Sequence, residues 1–420
     1  MNTILHLAFR SLVSRRATVL LSVIAIAVSV TLLLGVERIR TETRNSFSNT
    51  ISGTDLVVGA RSGSIPLLLY SVFRIGNATN NISWQSYREL ATDPAVAWTI
   101  PLSLGDSHRG FRVLGTNTDY FRYFRYARTQ NLRFAEGRQF DDVFDAVLGA
   151  EVANALGYRI GDKIIIDHGV GRIGFARHTD KPFRVSGILA RTGTPVDRTV
   201  HVSLGGIEAI HIDWRSGAPV PGLRMDADRV RRMDLQPRAI TAFFVGLKSR
   251  FATFAVQRKI NEYRPEPLLA ILPGVALQEL WSLMATAERA LSAISVFVVA
   301  TGLIGMMTML LSGMNERRRE MAILRAVGAR PAHIFSLFLL EAGFIAALGA
   351  MTGLGSLYIL LVLAQPLIES TYGLFIAIGA PTQTDMMYLG AVVAAGVLAG
   401  LVPAIRAVRL SLADGIIVRS

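Results

Sequence analysis

Four long apolar runs interrupt a chain whose polar and apolar positions otherwise alternate over short distances. Each run lacks charged residues and holds 20 to 27 residues, and about 20 apolar residues cross the roughly 30 Å hydrocarbon core of a bilayer. The first run exceeds the apolar core of a signal peptide, about 7–15 residues, and no small-x-small cleavage site follows it before Glu37. We therefore predict four retained membrane spans, at residues 17–36, 290–314, 342–368 and 386–405.

The segment 37–285, between the first two runs, has the short-period pattern of a folded domain. Alternating or β-branched runs predict strands at Ala146–Leu148, Lys163–Ile166, Phe183–Leu189, Val200–Leu204 and Ala242–Leu247. Cap and stop residues predict helices at Trp84–Ala91 after Ser83, Glu151–Leu156 before Gly157, and Arg250–Tyr263 after Ser249. Strands and helices in mixed order are typical of an α+β domain.

The distribution of charge orients the spans. The chain is 51% hydrophobic and 18% charged, and residues 37–285 hold 32 of its 44 Lys and Arg. Arginines occur before the first run, in the segment 315–333 and in the tail 406–420. The segment 369–385 has no Lys or Arg. Because short basic loops stay in the cytoplasm, we predict an inner-membrane, multi-pass protein with both termini cytoplasmic. The predicted fold class is α+β: four transmembrane helices with a large mixed α/β extracytoplasmic domain inserted between helices 1 and 2.

The sequence lacks the motifs of several classes of enzyme. It has no cysteine, so disulfides, thiolate zinc sites and cysteine nucleophiles are excluded. It has no G-x-x-x-x-G-K-[ST] phosphate loop, no G-x-S-x-G and no H-E-x-x-H motif. We therefore predict no catalytic residue, no cofactor, and no binding of ATP through a phosphate loop.

Three polar clusters in 37–285 have both a functional and a structural interpretation. An acidic cluster could bind a cation, but a solvated turn before a strand is favoured: Asp141, Asp142 and Asp145. Four residues could close over a metal if a hairpin joined them, although a polar surface loop is favoured: Asp167, His168, His178 and Asp180. The aromatic and basic run Tyr120–Tyr126 could stack nucleic-acid bases, but a packed edge fits better outside a membrane. We predict neither a metal site nor a nucleic-acid partner.

Segment 315–333 combines a charged start with an apolar stripe. Met321, Leu324 and Val327 recur at three-residue spacing and would form one ridge of a helix. Gly328 is a natural C-terminal stop, and Pro331 follows it. The pattern predicts that the second span continues as a helix to an amphipathic tip. A stop-transfer run lying on lipid headgroups is an equally good interpretation, so the residues alone leave both open.

Two glycine pairs have the G-x-x-x-G spacing that lets helix backbones approach closely. Gly349 with Gly353 lies in the third predicted span, and Gly396 with Gly400 lies in the fourth. Each pair could pack against a second copy of the chain or against a helix of the same subunit. The spacing leaves both alternatives open.

Segment 315–333 also contains REMAILRAVGA, at Arg319–Ala329. It resembles the R-E-I-x-x-L-R-A-x-G-A segment of ABC-transporter permeases of the MacB/FtsX/LolC-LolE type, the type VII or mechanotransmission family. Leu7–Leu12 is similar to part of the family's amphipathic N-terminal helix, here 1–16. Leu148–Ala153 and Phe183–Ile188 are similar to stretches of its periplasmic core domain, here 37–285. Pro403–Ala407 is similar to its P-A-x-R-A ending. The tail Ser411–Ile416 departs from the family's usual Pro and E-A-L ending.

The resemblance implies a permease that has no catalytic site of its own. In this family a separate cytoplasmic ATPase dimer closes on ATP, and two permease subunits transmit the motion to their periplasmic domains. The implied partners are that ATPase dimer, a second permease copy or paralogue, membrane lipid, and a periplasmic adaptor or lipoprotein. The implied ATPase-coupling residues are Glu316, Arg317, Arg319, Glu320, Met321, Leu324, Arg325, Val327 and Gly328.

The function expected from this resemblance is extrusion or release of a lipoprotein, peptide or small amphiphile, driven by ATP hydrolysis in a separate subunit. The alternative within the family is an FtsX-like regulator that acts on a periplasmic partner without transporting a substrate. A four-span sensor is disfavoured, because the short segment 315–333 leaves no room for a kinase or cyclase domain.

Overall fold

The computed structural model describes residues 12–13, 15–127, 129–169, 176–177, 180–215, 218–219, 225–372 and 378–413. These residues separate into two units. The helical unit comprises the described residues up to Glu42, those of Ala285–Ser370, and those from 378 onward. The α/β domain comprises the described residues of Thr43–Met284, and Thr371 and Tyr372 are grouped with it.

Four long helices have the length and composition of membrane spans. They are named here the first to fourth span helices and cover Arg16–Thr50, Pro273–Ser312, Pro331–Tyr372 and Gln383–Ala413. The prediction of four transmembrane helices is therefore confirmed. Each helix extends beyond its apolar run. The first and second helices contribute long segments to both units, and the third contributes its last two residues to the α/β unit.

A further helix, the connecting helix Met314–Ala326, lies between the second and third span helices. The second span helix ends at Ser312, and Gly313 precedes the new helix with φ −71° and ψ −6°. The prediction of one continuous helix is therefore wrong, because the helix is interrupted at one residue, Gly313. Glycine is about 1 kcal/mol less favourable than alanine inside a helix, so Gly313 is a natural place for the interruption.

The α/β domain is built on a long mixed sheet. Its strands are β1 Leu56–Ala60, β2 Ile82–Ser83, β3 Val96–His108, β4 Phe111–Thr116, β5 Arg125–Tyr126, β6 Gln130–Asn131, β7 Phe134–Gly137, β8 Asp145–Leu148, β9 Lys163–Ile164, β10 Asp167–His168, β11 Ala176–Arg177, β12 Phe183–Leu189, β13 Thr199–Ser203, β14 Trp214–Arg215, β15 Ala218–Pro219, β16 Ala239–Ile240, β17 Ala242–Leu247 and β18 Leu268–Ile271. The main path runs β18-β1-β17-β3-β4-β13-β8-β12-β7. Along it, β4–β13 and β8–β12 are parallel and the other pairs are antiparallel. The strands predicted from alternation are all present, with small differences at their ends.

Short helices connect these strands: Ser64–Ser71, Trp84–Ala91, Asp119–Tyr123, Ala150–Leu156, Leu204–His211, Ala227–Val230 and Thr253–Asn261, with 3₁₀ turns at Pro195–Arg198 and Arg250–Ala252. The Ser83 hydroxyl accepts the predicted capping hydrogen bond from Ser86 N–H. Gly157 ends its helix at φ 69°, a conformation that favours glycine. The predicted cap at Ser249 is wrong, because its side chain makes no capping bond and a 3₁₀ turn begins there instead.

Two of the predicted polar clusters have structural roles. In the run Tyr120–Tyr126, the side chains of Tyr120, Phe121 and Phe124 are buried in the core, which confirms the packed interpretation. The acidic cluster is not wholly a solvated turn, because Asp145 is buried. Its carboxylate accepts hydrogen bonds from the backbone N–H groups of Asp141 and Asp142 and forms an ion pair with the Arg184 guanidinium.

Candidate functional site

The connecting helix has a well-defined end. Val327 caps it, and Gly328 follows in the left-handed region with φ 96°. Gly328 N–H donates to Arg325 O at 2.9 Å, and Ala329 N–H donates to Leu324 O at 2.9 Å. This pair of bonds is a Schellman motif, which satisfies carbonyls that a helix end otherwise leaves unpaired. The glycine predicted as the stop therefore performs that role.

One face of the connecting helix packs inside the helical unit. Met321 is only 3% exposed. It belongs to a cluster formed with Met314 of the same helix and with four residues of the third and fourth span helices: Ile334, Phe338, Ala404 and Ala407. Met314 and Met321 are seven residues apart, two helical turns, and so face the same side. This packing fixes the rotation of the helix about its axis.

The predicted ridge of Met321, Leu324 and Val327 is divided by this packing. Met321 is buried and Leu324 half-buried, whereas Val327 is 84% exposed. A three-residue step falls short of a full helical turn of 3.6 residues, so the ridge winds from the buried face to the exposed face. The apolar pair that does share the exposed face is Ile323 and Val327, which are four residues apart.

A buried ion pair holds the first turn of the connecting helix. Arg317 is 3% exposed, and its two terminal nitrogens lie 2.6 and 2.5 Å from the Glu341 carboxylate oxygens. The guanidinium also lies over the Phe338 ring, at 4.4 Å from its centre. Arg317 was predicted as part of a docking surface, but these contacts tie it to the third span helix. Glu341 was not predicted, since it is the single carboxylate inside an otherwise apolar helix segment and no spacing links it to Arg317.

The other predicted coupling residues lie along the same helix. Glu320 is exposed, with a carboxylate oxygen 3.7 Å from Arg317 Nε, and Arg325 is half-buried. Glu316 and Arg319 are part of the helix, and their side chains lie outside the described part of the structure. The exposed surface of the connecting helix therefore combines apolar and charged groups.

Both glycine pairs lie at contacts between helices of the same chain. A Cβ on Gly349 would be 2.7 Å from the Ile26 side chain, and one on Gly353 would be 2.7 Å from Ala27 O. In the fourth span helix, Cβ atoms on Gly396 and Gly400 would each lie 2.4 Å from an alanine Cβ of the third: Ala346 and Ala342. Of the two alternatives, the contacts support packing within one subunit.

Charged residues also join span helices at the other end of the helical unit. Arg38 of the first span helix pairs with Asp385 of the fourth at 3.3 Å, and both side chains are buried. The Asp385 carboxylate also accepts from Thr382 N–H at 2.8 Å, at the start of its helix. Arg40 lies 3.5 Å from Glu288 of the second span helix. The first span helix is thereby tied to the second and fourth.

The structure describes three of the four candidate metal residues of the α/β domain. Asp167 and His168 pair with Ala176–Arg177 in a short hairpin, but His178 lies outside the described residues. Asp180 is 3.4 Å from Lys181. His168 instead lies beside Asp106, and its hydrogen bond to that carboxylate raises the pKa of His168.

Two protein families match the chain. Residues 18–263 match the MacB-like periplasmic core domain, and residues 292–412 match the FtsX-like permease C-terminal family. The macrolide export ATP-binding/permease protein MacB of Photorhabdus laumondii is 25% identical over 97% of this chain and 60% of its own length. MacB 2 of Aeromonas hydrophila is 37% identical over 30% of this chain and 19% of its own length. The crystal structure of the periplasmic region of MacB from Actinobacillus actinomycetemcomitans gives a TM-score of 0.34 at 11% identity, over 55% of this chain and 94% of that one.

The match to the periplasmic core family alone covers more than half of the chain. The chain spans less than two thirds of the length of the two MacB relatives. The four apolar helices and the two families identify it as a multi-pass inner-membrane protein. The chain belongs to the MacB/FtsX-type family of ABC-transporter permeases.

Proposed function

We propose that the chain is the permease subunit that transmits conformational work from a separate ATPase to its own α/β domain. The observation that carries the proposal is the connecting helix. Its first turn and one face are fixed by the Arg317–Glu341 pair and by Met321, while Ile323 and Val327 remain 56% and 84% exposed. An exposed apolar pair at i and i+4 is the pattern of a helix that seats in a groove. Because the helix is firmly held, a force on that pair would reach the span helices.

ATP is hydrolysed, in this proposal, by a separate ABC ATPase dimer. The 420 residues contain no phosphate-loop motif. The named relatives are ATP-binding/permease proteins. Two permease subunits, either two copies or a copy with a paralogue, would pair with the two ATPase subunits. In this proposal the chain itself would not hydrolyse ATP.

The orientation follows from the arginines around the spans. Both termini and the connecting helix would be cytoplasmic, and the α/β domain periplasmic, because basic residues accumulate on the cytoplasmic side. The connecting helix would then face the compartment that holds ATP. Membrane lipid would surround the exposed apolar faces of the span helices.

The work would be delivered to the α/β domain through the first and second span helices. Each is continuous from its apolar segment into residues of that domain: Arg16–Thr50 and Pro273–Ser312. The outcome would be extrusion or release of a lipoprotein, peptide or small amphiphile from the outer leaflet or the periplasm, with an adaptor or lipoprotein as a further partner.

The proposal is tested by measuring how much ABC ATPase co-purifies with the chain. The chain is purified in a mild detergent from its native membranes, and the ABC ATPase is quantified by mass spectrometry. Val327→Asp should lower co-purification at least about tenfold, because a lost apolar anchor costs about 1.5–3 kcal/mol and 1.4 kcal/mol is about tenfold in affinity. Leu324→Asp and Ile323→Asp should act in the same direction.

The matched control is Ile75→Asp, which places the same carboxylate at a 52% exposed isoleucine of the α/β domain, outside the span helices. It should leave the ATPase bound. The proposal would be contradicted if no ABC ATPase co-purified with the wild-type protein. It would also be contradicted if Val327→Asp and Ile323→Asp both bound as much ATPase as the wild type.

A further inference from the structure

Three metal-ligating side chains of the α/β domain converge from distant parts of the sequence. Asp106 belongs to β3, His168 to β10, and His211 is the last residue of the helix Leu204–His211. His168 Nδ1 lies 3.1 Å from Asp106 Oδ1 and 3.0 Å from His211 Nε2. His211 Nε2 lies 3.7 Å from Asp106 Oδ1. One carboxylate oxygen and two imidazole nitrogens therefore surround a single point.

The backbone determines that these groups face one another. His168 and Asp106 are direct cross-strand partners in the antiparallel pair β10–β3, so their side chains lie on the same face. The Ser107 hydroxyl donates to Gly169 O at 2.7 Å, which reinforces this register. The Asp106 side chain is only 5% exposed and has little freedom to turn away.

The hydrogen bond made by His211 gives its ring the tautomer that a metal requires. His211 Nδ1 lies 2.8 Å from Ile207 O, one turn earlier in the helix. A carbonyl oxygen can only accept, so Nδ1 carries the hydrogen and Nε2 presents its lone pair to the cluster. A second hydrogen bond of this kind is the usual support of a metal-binding histidine.

The separations fit a small divalent ion. Zinc binds nitrogen and oxygen ligands at about 2.0–2.2 Å, and tetrahedral geometry then places ligand atoms about 3.3–3.6 Å apart. The three separations of 3.0, 3.1 and 3.7 Å bracket that value. Two imidazoles with one carboxylate suit zinc and its tetrahedral substitute cobalt, whereas calcium and magnesium prefer oxygen ligands alone.

We propose that Asp106, His168 and His211 form a binding site for a divalent transition-metal ion, with Zn²⁺ as the best-fitting ion. Three protein ligands leave a fourth position for water or an exchangeable ligand. The side chains of His168 and His211 are 36% and 25% exposed, so an ion can enter from solvent. A bound ion would tie β3, β10 and the helix Leu204–His211 together. Without an ion, the same three side chains form a hydrogen-bonded triad, which is the competing interpretation.

The test uses the full-length protein in detergent, purified with a tag that contains no histidine and treated with a chelator. It is then titrated with Co²⁺, whose visible absorption reports tetrahedral coordination, and with Zn²⁺ as competitor. We expect one equivalent of Co²⁺ to give a tetrahedral spectrum that Zn²⁺ abolishes. His168→Asn and His211→Asn should each weaken binding more than about 100-fold, the upper range for loss of a supporting group alone.

His333→Asn is the matched control, since it removes an exposed histidine of the helical unit and should leave binding unchanged. Absence of saturable binding, or unchanged affinity in both His168→Asn and His211→Asn, would overturn the site in favour of the hydrogen-bonded triad. X-ray absorption at the zinc edge of the wild-type protein gives an answer that does not depend on how the variants fold. Two imidazoles and one carboxylate in the coordination shell support the proposal, and any other protein ligand set contradicts it.

Discussion

Two buried charges, Arg317 and Glu341, determine how the connecting helix is held. Their side chains are 4% and 2% exposed, and removing one partner of a buried pair leaves the other uncompensated. The sequence motif identified Arg317 as part of a functional segment but not as a buried residue. Burial depends on Glu341, which is 24 residues further along the chain, and no local pattern reveals that contact.

The single variants Glu341→Leu and Arg317→Leu should each lower the stability of the purified protein by about 3–5 kcal/mol, because each leaves an unpaired buried charge. The double variant should be more stable than either single variant, since it leaves neither charge. Thermal unfolding in detergent provides the comparison. If both single variants unfold like wild type and only ATPase binding is lost, Arg317 contacts the ATPase directly and is not an internal anchor.

His201 should make the α/β domain sensitive to acid. It is completely buried, its Nδ1 lies 3.2 Å from Val147 O, and its Nε2 has no hydrogen-bond partner among the described residues. Burial, assisted by the nearby charge of Arg74, lowers the pKa of His201 to about 3. In the unfolded chain the pKa is about 6.5, so between these values only the unfolded chain takes up the proton.

The domain should therefore lose stability as the pH falls below about 6.5, by up to about 1.4 kcal/mol per pH unit. His201→Asn, whose amide nitrogen takes the position of Nδ1 and can still donate to Val147 O, should reduce this dependence. The measurement is the unfolding temperature of both proteins at several pH values from 7 to 4.5. Equal pH dependence in the two proteins would show that His201 does not contribute.

At the scale of whole elements, small residues determine how closely the span helices approach. The glycine spacing predicted close contacts between helices but not the partner helices. Spacing shows which face of a helix carries small residues, but it does not show which helix packs against that face. The contacts identify the first span helix as the partner of Gly349 and Gly353. Thr31 of that helix also donates from its hydroxyl to Gly353 O at 2.9 Å. The strands of the α/β domain show the same limit, since alternation predicted them but not their order in the sheet.

Gly353→Ala should destabilise the helical unit by about 1–3 kcal/mol, the usual cost of overpacking. The new Cβ would lie 2.7 Å from Ala27 O and 2.8 Å from Val30 Cβ. Gly355→Ala is the control in the same helix, because its Cβ would meet no atom within 4 Å, and alanine is the better helix former. Thermal unfolding in detergent should separate the two variants. Equal stability would mean that this contact is not tight.

For the molecule as a whole, the charge asymmetry predicts that the connecting helix and the α/β domain lie on opposite sides of the membrane. The chain has no cysteine, so single cysteines can be introduced at exposed sites without interference. With the outer membrane permeabilised, an impermeant thiol reagent should label Glu262→Cys of the α/β domain and spare Ala322→Cys of the connecting helix until the inner membrane is opened. The reverse pattern of labelling would contradict the orientation.

The central claim is that ATP binding by a separate ATPase changes the conformation of the α/β domain through the connecting helix. Hydrogen–deuterium exchange of the permease–ATPase complex, with and without a non-hydrolysable ATP analogue, tests this claim directly. The account predicts that the analogue changes amide exchange within Thr43–Met284 of the wild-type complex. Val327→Asp should lose this change, and Ile75→Asp should retain it. Exchange in the α/β domain that stays the same with and without nucleotide, while the ATPase is bound, would contradict the account.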